Sequence, residues 1–191
     1  MIRCLVLAEC LRQRGFRIGF VCRAHHNHRN HLVTERGFRL HQLETSDSSV
    51  ERTASSSSTW LDVTWEVDAW QTIEACKAYG HLYGLIVDHY GLDYRWEKML
   101  RPYMNRIMVI DDLADRNHDC DVLLDQNLYD DMESRYSGHV PGECKLLLGP
   151  AFALLHPDYR RLHKTILPRT SIKRILVFFG AVDPQDLTSM A

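Results

Sequence analysis

Six aspartates, Asp111, Asp112, Asp115, Asp119, Asp121 and Asp125, crowd the stretch MVIDDLADRNHDCDVLLDQN at residues 108–127. Carboxylates gathered this way act either as metal ligands and acid–base groups or as caps and turn formers. Adjacent Asp111 and Asp112 point to opposite sides of an extended chain, a poor arrangement for chelation. Neither a His-x-x-Glu pair nor a DxDxDG spacing accompanies them. The stretch therefore reads mainly as caps and turn hydrogen bonds for DLADR and HDCD, while Asp112 and Asn127 stay candidates to line a cleft. A second polar group, Asp88, His89 and Tyr90, ends the apolar run in YGLIVDHYGLD (83–93). Tyr90 is the leading candidate there for contact with a substrate. Asp88 and His89 flank it, and cap or turn duty competes with a binding role for both. His89 titrates in the range that suits a general base, but a base must first lie within hydrogen-bond reach of its proton. The histidines His25, His26, His28 and His31 look like a metal tract, yet no cysteine or acid pair stands beside them, and they read as a solvated loop and helix face.

The elements that must position these groups follow from hydrophobic spacing. Helical spacing over 2–14 ends at Gly15, and FRIGFVCR (16–23) reads as a buried strand. A second helix-then-Gly pattern covers 26–37 and a second strand 38–44. The serine-rich stretch 45–60 has no apolar period and reads as a loop. Further helices are expected over 65–80 and 94–104, and strands within 83–93, 106–112, 121–127 and 144–150. Short continuous apolar runs alternating with helices indicate βαβ units, a parallel sheet and an α/β fold. Ligands of such sheets bind beyond the carboxyl ends of the strands, where VDHY, IDD and LDQN fall.

Composition narrows the function further. Lys+Arg of 23 against Asp+Glu of 25 gives no basic excess, which argues against a nucleic-acid binder. No window approaches the ~18 apolar residues of a membrane span, and MIRCLVLAEC does not fit a leader sequence. The six cysteines are scattered without a CxxC, which favours a reducing, cytoplasmic setting over a disulfide or zinc framework. No metal or cofactor is expected.

Both ends have the pattern of interrupted units. The chain opens in a helix where an open α/β domain opens with a strand. Near its end SIKRILVFFGAVDPQDLTSMA gives a strand at 174–179, a turn at Gly180 and the start of a helix. Gly180 and Asp183 would occupy the strand-to-helix turn that commonly holds phosphate, with a plain turn glycine as the equal alternative. The apolar strand 174–179 would lack a sheet of its own, inviting self-association.

The motifs MVIDDLADRNHDCDVLLDQNLY, LIVDHYGLD, LLLGPAFALLHPDYR and RILVFFGAVDP resemble the nucleotide-sugar hydrolases of pseudaminic acid biosynthesis, over Arg3 to Pro184. That family cleaves UDP-2,4-diacetamido-2,4,6-trideoxy-β-L-altropyranose to free sugar and UDP. It is similar in architecture to MurG-type glycosyltransferases, a GT-B-type fold of two Rossmann-like domains with the substrate in the cleft between them. The resemblance implies a UDP-sugar as the ligand. It also implies an N-terminal Rossmann-like domain at 1–150 lacking its first strand, a connection at 151–170, and the start of a nucleotide-binding domain at 171–191. The family's Gly-rich GTGH turn, with the histidine expected as general base, would precede Met1. Its FFGGSDP becomes FFGAVDP, where Ala181 and Val182 weaken close approach of the backbone to phosphate. The resemblance thus implies a hydrolase portion without its base. A glycosyltransferase of the same architecture and a non-catalytic fragment are the alternatives.

Overall fold

The computed structural model describes residues 1–25, 28–45, 61–132, 134–168, 170–177 and 186–190. They group into two compact units, Met1–Leu155 and His156–Ala191. The first is mixed α/β with parallel sheets, consistent with a Rossmann-like fold. Its order is α1 (Ile2–Gln13), β1 (Gly19–Arg23), α2 (His31–Glu35), β2 (Arg39–Leu43), α3 (Trp65–Lys77), β3 (Leu85–Val87) and α4 (Tyr94–Leu100). Then come β4 (Ile107–Ile110), β5 (Val122–Asp125) and β6 (Lys145–Leu148).

Every strand pairing is parallel, but the strands form two sheets. β1 pairs with β2, and β3, β4, β5 and β6 pair in that order. Each sheet has its own core. Leu5 and Ala8 of α1, Val33 of α2 and Phe38 pack against Phe20 and Leu40 of the small sheet. Ala69, Ile73 and Cys76 of α3 and Trp96 and Leu100 of α4 cover the larger one, over Val87, Ile107, Val109 and Leu123. The inner strands β4 and β5 are buried almost throughout, as expected for apolar runs enclosed by helices on both faces.

Helix starts follow local chemistry. Thr64 caps α3 by accepting from the Val67 N–H, and Asp93 caps α4 by accepting from the Arg95 N–H at 2.9 Å. α1 has no side-chain cap and no acidic residue in its first turn. α2 is shorter than the 26–37 spacing implied, because residues 28–30 form the approach to it and 26–27 lie outside the described residues. The loop reading of 45–60 falls almost wholly outside them too.

Two buried networks tie elements together. Arg23, at the end of β1, donates to Asp68 Oδ2 and Gln71 Oε1 of α3, both at 2.7 Å, and to the Glu44 carbonyl; Trp96 Nε1–H of α4 donates to Asp68 Oδ1 at 2.9 Å. His118 Nδ1 lies 2.7 Å from Glu97 Oε1, and the Asp119 N–H donates to the other Glu97 oxygen.

In the second unit, α5 spans Pro157–His163 and α6 Leu187–Met190. Residues 174–177, expected as strand, have no strand pairing; 178–179 lie outside the described residues, as do Gly180 and Asp183. Ile175 and Leu176 are 81% and 90% exposed. A β-prone apolar run forms a strand only beside a neighbour that takes its backbone hydrogen bonds. No described helix is long and apolar enough to cross a membrane.

Asp121 shows how one of the crowded aspartates is used. Its Oδ2 accepts from the Ile107 N–H at 2.8 Å and from Arg101 at 2.6 Å, and its Oδ1 accepts from Arg106 at 2.7 Å. Burial opposes ionisation, but the Ile107 N–H and the two arginines outweigh it and hold the pKa at about 2. A lowered folded-state pKa gives stability that is present above the ordinary carboxylate pKa and lost as pH falls from about 4 to about 2. Asp121→Asn should lower the melting temperature at neutral pH, and its deficit should vanish by pH ~2 in thermal unfolding followed by circular dichroism. A deficit unchanged by pH would refute this role.

Candidate functional site

The site is built where β3, β4 and β5 end. Asp88 follows β3 directly, Asp111 and Asp112 follow β4, and Asp125 closes β5 with Asn127 two residues on. The first turn of α1 reaches the same place. Arg3 grips Asp88 with two donors, Nη2 to Oδ1 at 2.6 Å and Nε to Oδ2 at 3.2 Å. Cys4 Sγ–H donates to Asp88 Oδ2 at 2.9 Å. Asp88 thereby brings negative charge to the uncapped, positive end of α1. Arg3 Nη1 also lies 3.7 Å from Asp112 Oδ2, which accepts from Asn127 Nδ2 at 3.4 Å. The Tyr90 hydroxyl hydrogen-bonds to Asp112 as well.

An open cavity of about 540 Å³ lies over this cluster, lined by Met1, Ile2, Arg3, Asp88, His89, Tyr90 and Leu154. Leu154 is set in place by its N–H donating to Gln126 Oε1 at 3.2 Å. Just upstream Gly149 takes φ 91°, with its N–H donating to the Asp125 carbonyl at 2.8 Å. A side chain there would be strained in backbone and would meet Met132 Sδ at 3.2 Å.

The wall behind Asp112 is a buried polar network. Tyr136, 1% exposed, donates its hydroxyl to Asp125 Oδ2 at 2.9 Å and sits 3.3 Å from Asp111 Oδ2. Asp111, fully buried, also accepts from the Ala114 N–H at 2.9 Å, which holds Ala114 at φ 51° in a tight turn. Arg116 Nη2 is 2.7 Å from Asp111 Oδ1; the oxygen has no well-aligned hydrogen bond, so the contact is an ion pair. Arg135 donates to the Asp112 carbonyl at 2.9 Å and stacks over the Tyr129 ring at 3.7 Å.

Protonation states follow from these contacts. Burial alone would raise the Asp88 carboxyl, but Arg3 and Cys4 hydrogen bonds and the Arg3 charge outweigh it and lower its pKa. Both Asp88 oxygens are thus engaged as acceptors, which suits anchoring of Arg3 better than proton transfer. Burial, and then the Asp88 charge, push the Cys4 thiol up to about 12. Burial, and then the Asp112 hydrogen bond, raise the Tyr90 hydroxyl, so it stays protonated at neutral pH and donates to Asp112. His89 Nδ1 accepts from the Gly91 N–H at 3.0 Å, so the neutral ring carries its proton on Nε2 and acts there as a donor.

The structure thus brings Tyr90, Asp88, His89, Asp112 and Asn127 to one end of the sheet. Arg3 and Cys4 were not singled out in the sequence, where the RC pair at a helix start was the available signal. Of the clustered histidines, His25 Nδ1 pairs with Asp62 at 2.7 Å and His28 Nδ1 accepts from the Asn30 N–H at 3.3 Å. Among the described residues, no three His, Cys, Asp or Glu side chains gather as a metal site.

Cys4 reports on this electrostatic arrangement. Its alkylation in the folded protein at pH ~8.5 should run on the order of 10²–10³ times slower than that of an unperturbed thiol, because only the thiolate reacts. Asp88→Asn removes the opposing charge and should speed the reaction, as peptide mapping after a timed iodoacetamide pulse would show. Rapid labelling in the parent protein would contradict the site geometry.

No protein-family profile matches the chain. Among curated proteins, a UDP-2,4-diacetamido-2,4,6-trideoxy-beta-L-altropyranose hydrolase from Campylobacter jejuni is 36% identical to it over 76 residues, which are 39% of this chain. The match spans 27% of that relative's length, so the likeness is to part of a UDP-sugar hydrolase.

Proposed function

We propose that Met1–Leu155 forms the sugar-side lobe of a UDP-sugar hydrolase acting on a diacetamido-trideoxy-altrose nucleotide sugar in the cytoplasm. The observation that carries this reading is that Arg3, Asp88 and Tyr90 line one cavity at the carboxyl ends of parallel strands, with Asp112 and Asn127 joined to them through Arg3 and Tyr90. The partial likeness to the Campylobacter jejuni hydrolase supplies the substrate class. Arg3 and the N-terminal end of α1 offer positive charge to a diphosphate. Tyr90, His89, Asp112 and Asn127 present hydrogen-bonding groups to sugar hydroxyl and acetamido groups.

Hydrolysis at the anomeric carbon requires water to attack that carbon while a base takes its proton and UDP leaves with the electrons of the broken C–O bond. Asp88 is committed to Arg3 and Cys4, and His89 presents a donor, so neither is assigned the base. In this reading the base is a histidine on a Gly-rich turn preceding Met1. The split sheet supports the same view. α1 packs on β1 and β2 while its first turn reaches the end of β3. A parallel strand between β1 and β3, running into α1, would unite the two sheets and bring its last turn to the cavity. The nucleotide would be held by a second domain begun by residues 171–191, with Gly180 and Asp183 near phosphate.

The chain as given should bind the UDP-sugar and release no UDP from it. Binding should raise its melting temperature, more with the UDP-sugar than with UDP alone, since a ligand that prefers the folded state stabilises it. Tyr90→Phe should weaken binding by roughly 5–10-fold, the value of one hydrogen bond. Turnover by the purified chain would overturn the assignment of the base; an equal response to UDP, or no response to either, would overturn the sugar-lobe assignment.

A further inference from the structure

Cys120 and Cys144 lie at the opposite end of the sheet from the cavity. Cys120 is two residues before β5 and Cys144 immediately precedes β6, so parallel pairing of the two strands fixes their spacing. The Lys145 N–H donates to the Asp121 carbonyl at 2.9 Å, which locks the two strand entries side by side. Their sulfurs are 3.6 Å apart. Both are free thiols, Cys120 at 1% exposure and Cys144 partly exposed.

We propose that Cys120 and Cys144 form a two-electron redox site that a peroxide-class oxidant converts to a disulfide. The sulfurs need to close from 3.6 Å to about 2.0 Å, from positions on adjacent paired strand entries. Cys144, the more exposed, reacts first. It gives its proton to solvent, and its thiolate attacks one peroxide oxygen; the O–O bond breaks, leaving a sulfenic acid and one water. Cys120 sulfur then attacks the Cys144 sulfur; the S–O bond breaks, and the departing hydroxide takes the Cys120 proton as a second water. The balance is two thiols and one hydrogen peroxide to one disulfide and two waters.

Burial raises both thiols, with the neighbouring sulfur adding to the effect at Cys120, so the first step is slow compared with that of a catalytic cysteine. The bond would join positions 24 residues apart in sequence. The chain between them carries Asp125, Asn127, Tyr129, Arg135 and Tyr136, the wall of the cavity cluster. Oxidation therefore staples the base of the segment that shapes the site.

The test is to treat the full chain with millimolar hydrogen peroxide, alkylate the remaining thiols under denaturing conditions, and map peptides without reduction. The expected result is a Cys120–Cys144 linked peptide, lighter by two hydrogens and cleaved by reductant, with a rise in melting temperature on the order of 5–10 °C that reductant reverses. Cys144→Ser, at the more exposed position, should abolish both the link and the temperature shift. Recovery of Cys120 and Cys144 as separately alkylated peptides, overoxidation of Cys144 with Cys120 still free, or links to other cysteines instead would each overturn the proposal. The mapping on the unsubstituted chain decides the matter even if a variant fails to fold.

Discussion

Among the described residues, six parallel strands are held in two sheets that share no backbone ladder, so the join between them rests on side chains. Arg3 and Asp88 link α1, which packs on the small sheet, to the exit of β3 in the large one. Arg23 and Asp68 link the end of β1 to α3, with Trp96 of α4 completing the contact. Both joins are charge-assisted; Arg23–Asp68 is buried, and Arg3–Asp88 is part-buried at the cavity. Breaking one partner of such a pair leaves a charge without compensation, at a cost of several kcal/mol. The same Arg3–Asp88 join forms the floor of the cavity. The candidate site is therefore placed where the two halves of the unit are clamped, and loosening the clamp would disturb the site's charge as well as the fold.

That dual use explains the fate of the acidic stretch. Asp111 faces Arg116, Asp119 and Asp121 face Arg101, Asp121 also faces Arg106, and Asp125 lies 3.4 Å from Arg135. Each carboxylate takes a guanidinium or a backbone N–H before it faces a ligand. Asp112 differs. It hydrogen-bonds with Tyr90, its Oδ2 has distant partners in Arg3 and Asn127, and its Oδ1 is buried without a hydrogen bond meeting strict geometry.

Much of this was legible from the sequence, and the remainder has a physical reason for being hidden. Continuous apolar runs located β3 to β6, since strands buried on both faces keep no polar alternation. Runs ending in Asp marked the carboxyl ends of the strands, and Asp93 and Asp111 do cap and turn as their types imply. What was not legible is pairing across distance. Arg3 meets Asp88 85 positions away, and an arginine in a first helical turn ordinarily reads as solvated. Arg101 meets Asp121 20 positions on, so a residue expected to serve a turn is an ion-pair hub. Residues 174–177 fail in the other direction. Their composition specifies a strand, but strand formation depends on a neighbour that composition cannot supply.

The second unit sharpens that last point. Ile172, Ile175 and Leu176 are nearly fully exposed, on either side of the basic pair Lys173 and Arg174. An apolar, β-prone run left open to water is favoured to associate, because burying each such side chain is worth roughly 1.5–3 kcal/mol. The sheet of the first unit meets the same demand internally, with Leu123, Leu124 and Ile110 covered on both faces. One rule therefore accounts for both outcomes. Where the chain supplies neighbouring strands and covering helices, the run becomes core and its polar exit becomes a site. Where the described residues supply neither, the same residue pattern remains an open surface.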